Sequence, residues 1–194
     1  MLENLNKYKI LLGSKSPRRR ELMQLLDIPF TQIGLGDVKE DYPSALPAAS
    51  VPLYLANLKA DAYKLRLMPG DLLITADTIV LLDDVIYGKP DNKDEACEML
   101  MKLSGRTHQV ITGVAVTTEK ERKSFETVSH VTFSTLSKED IEYYVNGYSP
   151  LDKAGAYGIQ EWIGAVAVEK IEGSFYNVMG LPVNALYNML RQMD

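Results

Sequence analysis

Two rhythms of apolar and polar positions take turns along this chain: short apolar runs that suit buried strands, and wider periodic stripes that suit helices. Lys9-Ile10-Leu11-Leu12 reads as a short buried strand. Gly13 to Ser16 breaks it, and Ser16-Pro17 opens a helix to about Leu26. Serine is a good N-cap, and proline at the first helical position gives up only an N–H that would be unpaired anyway. Residues 30–33 suit a second strand, and residues 34–50, with their Gly and Pro turn signals and several charges, read as a mobile loop. The stripe Leu53, Ala56, Ala60, Tyr63 and Leu67 predicts a helix over residues 51–67.

Residues 71–82 form a mainly apolar strand region, read as interrupted by Thr75-Ala76-Asp77-Thr78, and Asp83-Asp84 has the look of a hairpin turn. Asn92 and Glu95 suggest a capping box for a helix to about Leu103. Residues 109–118 and 122–134, rich in Val and Thr, read as an antiparallel hairpin. Ser137 with Asp140 caps a helix to about Val145. Short strand pieces are expected near 165–168 and 174–178, then a closing helix over 181–193. Alternating strands and helices without an internal repeat predict an α/β fold with a mixed sheet, as one domain over residues 1–194.

Composition narrows the classes of function. Lys plus Arg number 21 against 26 Asp plus Glu, a net charge of −5, which suits no duplex nucleic acid partner. The 46% of hydrophobic residues is enough for a packed core. One cysteine, Cys97, excludes an intramolecular disulfide and a thiolate-rich zinc site. No apolar run approaches the roughly 20 residues of a bilayer span, and the polar start is no signal peptide. The expectation is a soluble cytoplasmic protein with no membrane partner.

Absent motifs narrow it further. There is no phosphate-loop string, Gly34-Leu35-Gly36 lacks the third glycine of a dinucleotide fingerprint, and no GxSxG elbow occurs. His108 and His130 lie far apart in expected strands and read as structural or surface histidines.

Candidate chemistry gathers at several places. Gly13-Ser14-Lys15-Ser16-Pro17-Arg18-Arg19-Arg20 puts four cations at an expected helix start, where free N–H groups and the dipole favour phosphate oxygens. A solvated basic turn is the equal alternative. Asp77 breaks an apolar run, so it is paired, binds metal or faces a cleft, unless it is a turn-forming hairpin residue. Lys59 borders the helical stripe and Lys89 follows Tyr87-Gly88; taken singly, each reads as a surface lysine. Glu40 and Asp41 read by default as solvated loop charges, though with Asp77 they offer oxygen ligands for a divalent cation.

Taken together, these strings resemble the Maf-type nucleoside triphosphate pyrophosphatases. The resemblance rests on Gly13 to Arg19, Ala76-Asp77-Thr78, Gly88-Lys89-Pro90, Leu103-Ser104-Gly105 with His108, and Gly180-Leu181-Pro182-Val183. Asp152-Lys153-Ala154-Gly155-Ala156-Tyr157-Gly158-Ile159-Gln160 completes it, in order along nearly the whole chain. It implies an inosine-triphosphatase-like α/β architecture, a mixed twisted sheet flanked by helices, with two lobes around a central cleft and often a homodimer. It also implies hydrolysis of a nucleoside triphosphate to monophosphate and pyrophosphate with Mg²⁺ or Mn²⁺, and a link to cell-division arrest. By position, Asp77 matches the general base and a metal ligand, and Glu40 an acid near the metal. Ser14, Arg18, Arg19, Lys59 and Lys89 match phosphate-binding residues, while Arg18, Thr78 and Gln160 match positions tied to base selection. Ala156 to Gln160 resembles the dTTP and UTP branch rather than the 7-methyl-GTP branch. Glu161 stands where that branch commonly has glycine, and Lys15 sits at a variable position. A non-catalytic nucleotide sensor is the rival reading.

Overall fold

The structure, a computed structural model, describes residues 2–193. In chain order it contains β1 (Lys9–Gly13), α1 (Pro17–Gln24), β2 (Thr31–Ile33), α2 (Val51–Lys64), β3 (Asp71–Leu82), β4 (Val85–Tyr87) and α3 (Lys93–Leu103). Then follow β5 (Thr107–Thr117), β6 (Arg122–Phe133), α4 (Lys138–Tyr148), α5 (Trp162–Ala167), β7 (Val168–Glu172), α6 (Phe175–Met179) and α7 (Val183–Leu190). Hydrogen-bonded strand order is β2-β1-β3-β5-β6-β7, with β4 paired to β3. β1 pairs in parallel with β2 and β3, the geometry that helical crossovers such as α1 and α2 make possible. β4 on β3 and β7 on β6 are antiparallel, so the sheet is mixed as expected.

The chain divides into two compact units. One comprises Met1–Asp77, Thr112–Thr127 and Gly180–Asp194, the other Thr78–Ile111 and Val128–Met179. In the first unit, Ala56 and Ala60 of α2 pack with Ala115 of β5. In the second, Val80, Leu100, Val131, Phe133, Tyr144 and Ile163 belong to a single buried cluster. Among the described residues no helix is long and apolar enough to cross a membrane.

Local chemistry explains most boundaries. Ser16 caps α1 by accepting from the Arg19 amide at 3.3 Å. Asp83 and Asp84 both take positive φ, the pairing of a tight hairpin turn whose twist matches its strands. Ser137 and Asp140 form the full reciprocal box at the start of α4. At α3 the box is only half made. Asn92 accepts from the Glu95 amide, but the Glu95 carboxylate accepts from the Asp91 N–H instead.

Four expectations are corrected. β3 runs unbroken through Thr75 to Thr78, because its polar side chains have partners: Thr75 donates to the Ala56 carbonyl at 2.7 Å and Asp77 meets Lys59. The buried face of α2 is Val51, Pro52, Leu55, Ala56, Lys59 and Ala60, so Lys59 lies within the buried face and not at its border. Residues 162–167 and 175–179 are helical, and the late strand is Val168–Glu172. Ser174 starts the second of these helices by accepting from the Asn177 amide. The closing helix is shorter than expected, Val183–Leu190.

Candidate active site

In the first unit, the turn after β1 is tied down by its own polar groups. The Ser14 hydroxyl accepts from the Ser16 N–H at 3.2 Å, and the Ser14 carbonyl accepts from Gln32 Nε2 at 2.7 Å. Pro17 and the Ser16 cap then set the direction of α1, whose first turn carries Arg18 and Arg19. Arg20 is exposed.

Arg19 is anchored as well as charged. Its Nε donates to the Gly180 carbonyl at 2.8 Å and its Nη1 to the Ala76 carbonyl at 2.9 Å. Burial lowers its pKa, the Asp77 carboxylate opposes that, the like charge of Arg18 adds to the lowering, and Glu40 counters it. These couplings place Arg18, Arg19, Glu40 and Asp77 in one electrostatic neighbourhood.

The centre of that neighbourhood is Lys59. Its Nζ lies 2.6 Å from Asp77 Oδ1 and 3.1 Å from Glu40 Oε1. Lys59 and Asp77 are buried, whereas Glu40 is half-exposed. A buried charge must be paired, and here one lysine gathers two carboxylates around a single point. Sequence reading named all three residues; the structure brings them together.

The carboxylate pair also bears on metal binding. Among the described residues no group of three or more His, Cys, Asp and Glu forms a ready metal cage. Glu40 and Asp77 are nevertheless hard oxygen donors of the kind Mg²⁺ takes in ones and twos, completing its shell with substrate phosphates and water, while the point on which they converge here is the Lys59 ammonium. The residues fit such an ion.

The second unit holds the other expected residues. Thr78 is half-buried on β3 directly after Asp77, and Lys89 is exposed in the turn after β4. The Gly155 N–H donates to the Gly88 carbonyl at 3.0 Å, so the turn carrying Lys89 is tied to the segment that ends in Gln160. Gln160 is exposed.

Sequence reading missed a buried polar set in this unit. Lys153 is 8% exposed, and its Nζ meets Asp152 Oδ1 at 2.7 Å and Glu161 Oε1 at 3.1 Å. The Tyr144 hydroxyl donates to Glu161 Oε2. The available signal was a lysine inside an otherwise apolar and glycine-rich string. Tyr144 gave none, since its place beside Ile141 and Val145 reads as core. His108 is structural, as expected: buried, with Nε2 2.8 Å from the Tyr157 hydroxyl and its ring edge-on to Phe133. Its Nδ1 has no hydrogen-bond partner. His130 is exposed.

Comparison with known proteins gives consistent results. The family model described as Maf-like protein matches residues 9–193. A Porphyromonas gingivalis protein named dTTP/UTP pyrophosphatase is 58% identical over 193 residues, covering 98% of this chain and 97% of the relative. A Phocaeicola vulgatus protein of the same name is 55% identical, with 100% of both chains covered. Among solved structures, a HAM1 protein from Coxiella burnetii matches 96% of this chain and 100% of its own with a TM-score of 0.52. At 14% identity that likeness speaks for the fold alone.

Proposed function

We propose, from the premise that the chain belongs to the Maf family, that it is a nucleoside triphosphate pyrophosphatase, a hydrolase that cleaves dTTP and UTP to the monophosphate and pyrophosphate. The observation that carries this reading is the meeting of Asp77, Lys59 and Glu40 beside the Arg18–Arg19 helix start, in a chain 58% identical to a protein of that name.

Each residue type suits a step of the chemistry. A triphosphate repels an incoming hydroxide, so cations must neutralise it first; Arg18, Arg19, Lys59 and Lys89, with the Ser14 hydroxyl, bind its oxygens. Asp77 takes the proton of the water that attacks the α-phosphorus. Lys59 holds the carboxylate in place through Oδ1. Asp77 and Glu40 would hold the divalent cation, Mg²⁺ or Mn²⁺, which when bound polarises phosphate oxygens and makes pyrophosphate a better leaving group. Gln160, with Arg18 and Thr78, reads the base: an amide offers a donor and an acceptor, matching the O4 and N3–H edge shared by thymine and uracil.

Residues 1–194 act as one functional domain in this reading; the family model spans segments of both compact units. A homodimer, a cytoplasmic setting, a role in limiting non-standard nucleotides and a link to cell-division arrest belong to the same reading.

The test is a substrate panel with pyrophosphate release as readout. dTTP and UTP should exceed dCTP, ATP and 7-methyl-GTP in kcat/KM by about tenfold or more, the scale of one mismatched hydrogen-bonding edge. A panel led by 7-methyl-GTP would overturn the base assignment. Binding without release of pyrophosphate from any triphosphate would make the protein a sensor.

A further inference from the structure

Residues 158–161 form a turn closed by the Glu161 N–H donating to the Gly158 carbonyl at 2.9 Å. Its two central residues differ sharply: Ile159 is buried and Gln160 is exposed. Both ends of the turn converge on one hydroxyl. Tyr144, fully buried on α4, accepts from the Gly158 N–H at 3.0 Å and donates its single proton to Glu161 Oε2. The other Glu161 oxygen is held by Lys153.

Backbone space is equally committed. A Cβ on Gly158 would lie 2.7 Å from Glu161 Cδ and 2.9 Å from Oε2, so the carboxylate rests directly on the glycine. A Cβ on Gly164 of α5 would overlap the Ile159 carbonyl. The turn is therefore gripped at Gly158, Ile159 and Glu161, while the residue between the last two points outward.

We propose that Tyr144 and Glu161 are positioning residues for base selection, a clamp that fixes the turn presenting Gln160. The proposal rests on the pyrophosphatase reading above. An amide can meet the hydrogen-bonding edge of uracil only from a fixed distance and direction, which are set by where the turn puts the Gln160 backbone. Selective sites hold such groups to within about 0.5 Å through the residues behind them. Tyr144 supplies that support without touching the nucleotide. Burial and the Glu161 hydrogen bond raise its pKa, which keeps the hydroxyl a donor throughout the working pH range.

The test uses the full-length Tyr144→Phe protein, which keeps the ring and loses the hydroxyl. Two readouts are expected to move together. The ratio of kcat/KM for UTP over CTP falls about fivefold or more, with the loss on UTP in KM more than in kcat. Amide hydrogen exchange at Gly158 and Glu161 quickens about tenfold, while β3 amides keep their rates. A merely structural role would instead lower activity on both nucleotides equally and loosen amides throughout. Glu161→Gln, which keeps the shape and removes the charge that Lys153 and Tyr144 hold, should shift both readouts the same way and stands in if Tyr144→Phe does not fold. If either readout stays at its wild-type value in a folded variant, the clamp is overturned. Wild-type protein without turnover on any triphosphate refutes the pyrophosphatase reading alone, and the exchange rates then decide the clamp.

Discussion

Lys59 Nζ sits 2.6 Å from Asp77 Oδ1, so the acid of the site is held by a lysine of its own chain. The pair joins the middle of α2 to the middle of β3, and the Thr75 bond to the Ala56 carbonyl fixes the same two elements one turn earlier. Placing these charges among apolar neighbours costs desolvation that a packed hydrophobic pair would avoid. A buried ion pair is weak evidence of stability, and this one fits the role proposed for the site above.

Asp77→Asn tests the acid. The amide fills the same space and still accepts from Lys59, so the fold should persist. Turnover should fall by at least about 100-fold, the usual contribution of a positioned acid or base. Pyrophosphate release per folded molecule, alongside circular dichroism, checks this. Near-normal release from a folded variant removes Asp77 from the mechanism.

Arg19 anchors the scaffold and, in the proposed site, also binds phosphate, and its variants should separate the two. Its bonds to the Gly180 and Ala76 carbonyls tie the segment before α7 to β3, so it is part of the scaffold as well as the charge cluster. Hydrogen bonds from a charged donor contribute about 1.5–3 kcal/mol each. Arg19→Ala should therefore lower stability by about that amount as well as weaken triphosphate use about 10- to 100-fold. Arg19→Lys keeps the charge but cannot reproduce the planar fork, so it should recover part of the kinetics and less of the stability. Urea unfolding and steady-state kinetics on the same preparations measure both. Unchanged stability in Arg19→Ala would mean that the two carbonyls find water at no cost.

The parts of this fold that were legible are those with short-range causes. Ser16-Pro17 announces α1, Asp83-Asp84 the hairpin and Ser137 with Asp140 the start of α4, each within a few residues of its effect. What stayed hidden depends on partners brought from afar. Thr75 and Asp77 looked like breaks in a strand because their partners, Ala56 and Lys59, lie 19 and 18 residues away. Lys59 looked peripheral because a stripe drawn through Leu53 and Tyr63 puts it at the edge, whereas β3 offers it an anion on the buried side. Residues 165–168 looked like a strand for their two valines, a preference that packing overrides up to Ala167, the end of α5. The Tyr144–Glu161 bond spans 17 residues and leaves no periodic trace.

His108 gives the protein an acid-sensitive core in the second unit. Burial lowers its pKa from 6.5 to about 4 in the folded protein. Nε2 is engaged by Tyr157, and Nδ1 has no partner to receive a second proton's charge. The folded state thus binds fewer protons than the unfolded chain between these two values, and stability must rise with pH across that window. His108 imposes no penalty above about pH 6.5; its contribution falls by roughly 3 kcal/mol as pH drops to about 4 and levels off below. His108→Gln places an amide near the Nε2 position, can still bond Tyr157, and does not titrate. Stability of the variant should fall less steeply than that of the wild type between pH 6.5 and 4, even if it is lower at neutral pH. Parallel slopes for the two proteins in urea unfolding across that range would show that other groups, and not His108, govern acid sensitivity.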